Sequence, residues 1–306
     1  MTNITLKKKI LLAVSLSFVT ASFPAFAQPS LADSIDAAVA ENATAEWTFF
    51  GGKKGGDNGY WQRVVKYWKE GNTGRSDIDT RSEVMSDNNP WSAAFVSYIM
   101  ARSNAGNQFK YSAAHHTYIV DAIKNKKEGK TTAPFVGYRL SEAAPLVGDL
   151  VCGYYGTSKV TYDSVSSLKF SKSHCDIVVA TRVGKVDVIG GNVKASVTKA
   201  TITLVNGKVP SSGNLFVLIR NNASADYSRV IAEGVLRFPG RPAVYYSNGT
   251  GEYCWFNSPA SLQNLRGTNP EIRMQGGVLS KYKTTRFDGK CAAGKSLPSP
   301  HPDPNF

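Results

Sequence analysis

The chain has 306 residues, of which 42% are hydrophobic, enough for one sizeable domain with a real core and a smaller appendage. Its 36 Lys and Arg outnumber 23 Asp and Glu, for a formal charge of +13. The basic residues are scattered and no nucleic-acid motif occurs, so nucleic acid is excluded as the expected partner.

Lys7, Lys8 and Lys9 precede an apolar stretch at 10–19, and Ala25-Phe26-Ala27 supplies a small-x-small pattern. This is the layout of a secretory signal peptide over residues 1–27, cut ahead of Gln28. The run is too short to cross about 30 Å of hydrocarbon, and no later segment approaches spanning length, so no transmembrane segment is expected. Cutting there removes three lysines and leaves 33 basic against 23 acidic residues, +10. A basic protein outside the inner membrane, periplasmic or secreted, is drawn to anionic wall polymers and lipid headgroups.

Along the mature chain, residues 28–46 read as an Ala-rich amphipathic entry helix. The GGKKGG at 51–56 is a flexible loop that lacks the spacing of a phosphate cradle. Residues 60–68 carry Tyr60, Trp61, Val64, Tyr67 and Trp68 at helical spacing, a core-facing stripe. Asn89 as N-cap and Pro90 at the first helical position start a helix that is apolar nearly all round and therefore buried. Its first turn projects Ser92 where unpaired N–H groups and the helix dipole favour a developing negative charge. A third helix is expected from Ser112 as N-cap to about Lys127, stopped by Gly129. It carries His115 on an inward face, where a core histidine is the leading reading and a cleft-lining, substrate-binding one the other.

The period then changes. Residues 150–155, 175–182, 186–189, 196–204 and 215–220 are β-branched or aromatic runs separated by turn residues, so helices are followed by a meander of strands, an α+β domain. His174 begins one strand, Asp176 shares its face, and Asn192 ends the next; Asp149 marks a turn or strand start. A serine at a helix N-terminus with a histidine and an orienting polar residue on strands follows the logic of nucleophile–His–orienter catalysis. No cofactor is expected. Metal binding is disfavoured because no CxxC or Cys/His spacing occurs. In an oxidising compartment the four cysteines, Cys152, Cys175, Cys254 and Cys291, are expected as disulfides; of three possible pairings the simplest joins 152 with 175 and 254 with 291.

Beyond 221 lies a segment expected to form a small β-rich module over 222–295. Its stretch 245–256, YYSNGTGEYCWF, combines hairpin turn residues with five aromatics. Buried, they are the core of the appendage, the reading base rates favour; exposed, they would stack on glycan. The Pro-rich 296–306 is expected as a disordered tail.

NPWSAAFVS at 89–97, GDLVC at 148–152, HCDIVV at 174–179 and VIGGN at 188–192, with YSAAH at 111–115, resemble in order the motif series of the DUF2272 family. That family is similar to the NlpC/P60 and CHAP group of papain-like cell-wall peptidases and amidases. The resemblance covers roughly residues 45–221 and implies helices packed on an antiparallel sheet. It places Ser92 at the position of a cysteine nucleophile, His174 at the histidine and Asn192 at the polar third member. Trp91, His115 and Asp176 are the candidate substrate-binding residues, with Asp176 otherwise holding the site or pairing with a nearby cation. The resemblance also makes the strands of Cys152 and Cys175 antiparallel neighbours, which suits a bridge; strand alternation by itself puts Cys175 on the opposite face from His174. The serine is the departure, because a hydroxyl is far less acidic than a thiol. The implied function is hydrolysis of an amide bond in peptidoglycan or a cell-wall peptide. The alternatives are a non-catalytic wall-binding protein using the same cleft and an adaptor docking on an envelope protein partner.

Overall fold

The computed structural model describes residues 33–211, 213–256, 272–277 and 281–282, together with the backbone of 286–290. The signal-peptide segment, Cys291 and the tail 296–306 lie outside the described residues. Among the described residues five α-helices lead: α1 (Asp36–Phe50), α2 (Trp61–Glu70), α3 (Arg81–Val84), α4 (Ser92–Arg102) and α5 (His115–Lys127). Strands β1 (Phe135–Tyr138), β2 (Leu150–Tyr154), β3 (Ser173–Arg182), β4 (Lys185–Val193), β5 (Ser196–Thr203) and β6 (Leu215–Asn221) follow. They form an antiparallel sheet in the order β1-β6-β2-β3-β4-β5. This is a mixed helix and antiparallel-sheet, α+β, architecture. Among the described residues no helix is long and apolar enough to cross a membrane.

The expected strand periods match β2 to β6 within a few residues at each end. The meander holds from β2 to β5, after which β6 returns to the other side of β2. There it pairs with β1, a strand the sequence reading missed because its four residues, FVGY, are too few to show a period.

Two helix starts differ from expectation. Helix α4 begins at Ser92 behind Trp91 with no side-chain cap, because Asn89 is engaged elsewhere: its amide donates to the Glu83 carbonyl at 3.1 Å and accepts from Arg75 at 3.3 Å. Helix α5 begins at His115, three residues after Ser112. The Ser112 hydroxyl accepts from the Ala114 N–H at 3.0 Å and donates to Thr117 at 2.9 Å, a local turn ahead of the helix rather than its N-cap. The entry helix also starts and ends later than expected, at Asp36 and Phe50. The short α3 was missed. It carries a capping box, Thr80 with Glu83.

Helix α1 is pinned by polar contacts as well as by its apolar face. Buried Glu46 accepts from Arg63 Nε at 2.8 Å and from the Tyr67 hydroxyl at 2.5 Å, so both partners on α2 satisfy the one carboxylate. Buried Asn42 donates to the Met274 carbonyl at 2.8 Å and accepts from its N–H at 3.0 Å. That pair ties α1 to a second sheet of β7 (Gly234–Arg237), β8 (Val244–Ser247), β9 (Glu252–Trp255), β10 (Ile272–Met274) and β11 (Arg286–Lys290), ordered β10-β7-β8-β9-β11. β8 and β9 form the expected hairpin. Of its aromatics Tyr246, Tyr253 and Phe256 are buried, so most of that set is core. Leu236, Phe238, Tyr253 and Tyr282 join the same buried cluster as α4 and β3, so the second sheet shares the main core.

A disulfide joins Cys152 to Cys175, directly opposite each other on β2 and β3, and both are fully buried. Cys254 is disulfide-bonded as well.

Candidate functional site

Three element beginnings meet here. Ser92 is the first residue of α4, His115 the first of α5, and His174 the second of β3. Each element ends or starts where the packed layers stop, so polar side chains gather there without crossing the core.

Ser92 is 9% exposed on a helix whose residues 92–100 are all buried. Its Oγ lies 2.8 Å from His115 Nε2. The other nitrogen of that ring, Nδ1, is hydrogen-bonded to the Tyr118 hydroxyl, one turn further along α5. His174 Nε2 lies 2.8 Å from Asp176 Oδ1, and both side chains are about a quarter exposed, at 26%. Because an ionised carboxylate only accepts, this bond puts the proton on Nε2 and leaves Nδ1 of His174 as the basic nitrogen. The His115 and His174 rings lie 5.1 Å apart between centroids, tilted by 60°.

Burial holds His115 well below the usual histidine range, and the neighbouring His174 pushes in the same direction. The Tyr118 phenol is held well above its ordinary value, again by burial first and by the Asp176 charge second. His115 is therefore a neutral imidazole and Tyr118 a neutral phenol at any physiological pH. Next in the chain, His116 bonds Ser171 at 2.9 Å and is pushed down by burial against the Leu168 carbonyl, which pulls the other way.

The residues expected at the site divide. Ser92 and His174 stand on neighbouring element starts with His115 between them. His115 is buried, at 4% exposure, and hydrogen-bonded to Ser92. Among the described residues the side chain bonded to the His174 ring is that of Asp176. Asn192 lies in an irregular stretch between Gly190 and Val193, in the left-handed region at φ 59°. Trp91 is 3% exposed, stacked on Phe50 at 6.0 Å and packed against Tyr67 at 5.8 Å. That aromatic packing covers the ring. Tyr118 was missed altogether; its signal was the i, i+3 spacing from His115, which puts both on one helix face.

Support comes from beneath. Asp149, fully buried, accepts from the Leu146 N–H at 2.8 Å, the Asn221 N–H at 3.0 Å and Arg220 Nε at 3.0 Å, and so fixes β2 against β6. Burial pushes its carboxyl up to about 7 while Arg220 opposes. Among the described residues no group of three or more His, Cys, Asp or Glu is gathered as metal ligands would be.

The sequence pattern of the family described as "Uncharacterized protein conserved in bacteria (DUF2272)" matches residues 55–232, more than half of the chain, and the protein belongs to that family. No curated protein matches it. Among solved structures, that of a wild-type endolysin, LysIME-EF1, is similar at 13% identity over 54% of this chain and 71% of the endolysin, with a TM-score of 0.17.

Proposed function

We propose that this DUF2272 protein is an exported hydrolase that cleaves an amide bond in a cell-wall peptide, with Ser92 as nucleophile and His174 as base. The observation that carries this reading is the meeting of a serine at a buried helix N-terminus with two histidines, one of them paired to a carboxylate. In the first half-reaction the Ser92 oxygen attacks the scissile carbonyl and its proton passes to His174 Nδ1. The first intrahelical bond of α4 runs from the Phe95 N–H to the Trp91 carbonyl, so the N–H groups ahead of it face the developing oxyanion. The proton then goes from His174 to the leaving amine, and water, deprotonated by the same nitrogen, hydrolyses the ester. Asp176 supports the imidazolium, in the role the resemblance implies for Asn192.

Helix α4 packed on β3 and β4 accords with a papain-like, NlpC/P60-type arrangement. A buried disulfide suits an oxidising compartment, and the basic charge suits an anionic wall polymer. A second reading, a non-catalytic wall binder, is favoured by the small exposure of Ser92 and by the hydroxyl in place of a thiol.

Digestion of muropeptides, followed by chromatography, separates the two. Activity should vanish in Ser92→Ala and His174→Ala to a similar extent, by about 10³-fold or more, because such residues act as a unit. Ser92→Cys should retain or raise it. Wild-type protein that binds wall fragments and cleaves none, with Ser92→Cys equally inert, would establish the binder instead.

A further inference from the structure

We infer that His115 is a fixed hydrogen-bond donor to the Ser92 oxygen, held in its Nε2–H tautomer by the Tyr118 hydroxyl, and that this donor equips a serine to work where a thiol would be expected. The inference rests on Ser92 being the nucleophile and adds a second histidine with a role distinct from that of His174.

The tautomer follows from donor and acceptor counting. Tyr118 is 2% exposed, and among the described residues its hydroxyl has one hydrogen-bond partner, His115 Nδ1. If Nδ1 carried the proton, it would donate to the phenol oxygen and leave the buried O–H with nothing to donate to, which is unfavourable for a group removed from water. If the phenol donates, every group is satisfied: Nδ1 accepts, Nε2 carries the proton, and Nε2–H points at Ser92 Oγ 2.8 Å away. The serine's own proton is then turned away from His115. The basic nitrogen that remains is Nδ1 of His174, whose Nε2 is held by Asp176.

This arrangement addresses the weakness of a serine nucleophile. As the Ser92 proton leaves, charge grows on Oγ against an N–H already aimed at it, and a neutral hydrogen bond becomes a charge-assisted one. The donor is itself only 4% exposed and is held by Tyr118, so it needs no reorganisation as that charge grows. Burial, with His174 beside it, keeps His115 from becoming a cation, so it neither titrates nor competes for the proton. The groups facing this ring are Ser92 from α4, Tyr118 from its own helix, and His174 from β3, with Asp176 behind. Tyr118 touches no reacting atom and acts as a positioning residue.

Two measurements test this. The first is the ¹⁵N NMR spectrum of the full chain labelled at histidine. His115 should show a protonated Nε2 and a bare Nδ1, unchanged from about pH 5 to pH 8, and Tyr118→Phe should let the proton populate Nδ1. A His115 that carries its proton on Nδ1, or that titrates in that range, overturns the inference. The second is the rate at which a fluorophosphonate labels Ser92, read by intact mass. There Oγ–P forms, P–F breaks, and the serine proton goes to His174. His115→Ala should slow labelling by at least about 10²-fold, and His115→Gln, which keeps an N–H in place, should stay within about tenfold of wild type. Neither should shift the pH–rate profile. If His115→Gln is as slow as His115→Ala and the acidic limb disappears in both, His115 is the base and the inference fails. A wild type left unlabelled overturns the nucleophile reading and the catalytic half of this one, while the spectrum decides the tautomer in either case.

Discussion

Strands β3 and β4 present two faces that do different work one residue apart. On one, Cys175, Ile177 and Ile189 are fully buried in the cluster shared with the helices, and Cys175 is bonded to Cys152. On the other, His174 and Asp176 stay a quarter exposed and hydrogen-bonded to each other. The paired glycines of β4 divide in the same way. A Cβ on Gly190 would come within 1.8 Å of Asp176 Oδ1 and 2.9 Å of His174 Nε2; one on Gly191 would come within 2.5 Å of the Phe95 side chain on α4. Both must lack a side chain, one for the sake of the site and the other for the sake of the core. The strand period of two lets the core and the candidate site be set independently by adjacent residues.

That separation can be broken at several points. The largest stability effect should follow from replacing both Cys152 and Cys175 by alanine, which reopens a cross-link spanning 23 residues. A loss of about 3 kcal/mol is expected in urea unfolding, with residual activity scaling with the folded fraction. Gly191→Ala should come next, costing about 1–3 kcal/mol through overpacking against Phe95, again without a specific effect on turnover. Gly190→Ala should do the opposite. Its Cβ displaces Asp176 from His174, so the unfolding midpoint should move little while muropeptide cleavage falls about 10–100-fold, as for loss of an orienting partner. Equal stability losses at the two glycines, with equal effects on activity, would show that the faces are not independent.

The smallest expected effect is a pH slope set on the core side. Asp36 opens α1 against Gly148, and burial pushes its carboxyl up to about 6, with Ser34 and Arg220 opposing. A carboxyl whose value rises on folding binds its proton more tightly in the folded state. Its contribution to stability is therefore full below about pH 4 and is lost as pH rises through about 6, at no more than about 1.4 kcal/mol per pH unit. Asp36→Asn should flatten the pH dependence of the unfolding midpoint across that window and leave it unchanged on either side.

Much of this was legible beforehand. The alternation of HCDIVV assigns His174 and Asp176 to one face and Cys175 to the other without any knowledge of the neighbours, because backbone geometry alone sets the period. The helix around Ser92 and the strands β2 to β6 follow from the same kind of local repetition, and the Cys152–Cys175 bridge from an even cysteine count together with the strand pairing that the resemblance implies. Where local signals competed, the reading failed. Asn89 and Ser112 are good caps by residue type, yet both hydroxyl and amide found nearer partners, and Trp91 was drawn into the core by Phe50 and Tyr67.

What the sequence by itself determined is thus the inventory and its faces: a nucleophile-type serine opening an apolar helix, a histidine on a strand, and a carboxylate two residues on. Only the tertiary structure decided which of these touch. It brought the start of α5 between α4 and β3, so that His115 rather than His174 bonds Ser92, and Asp176 rather than Asn192 holds His174. The physical reason is that periodicity is a property of one element and is written into adjacent residues, whereas the distance between Ser92 and a ring 23 residues away depends on how three elements pack, a sum over the whole core that no single stretch of chain encodes.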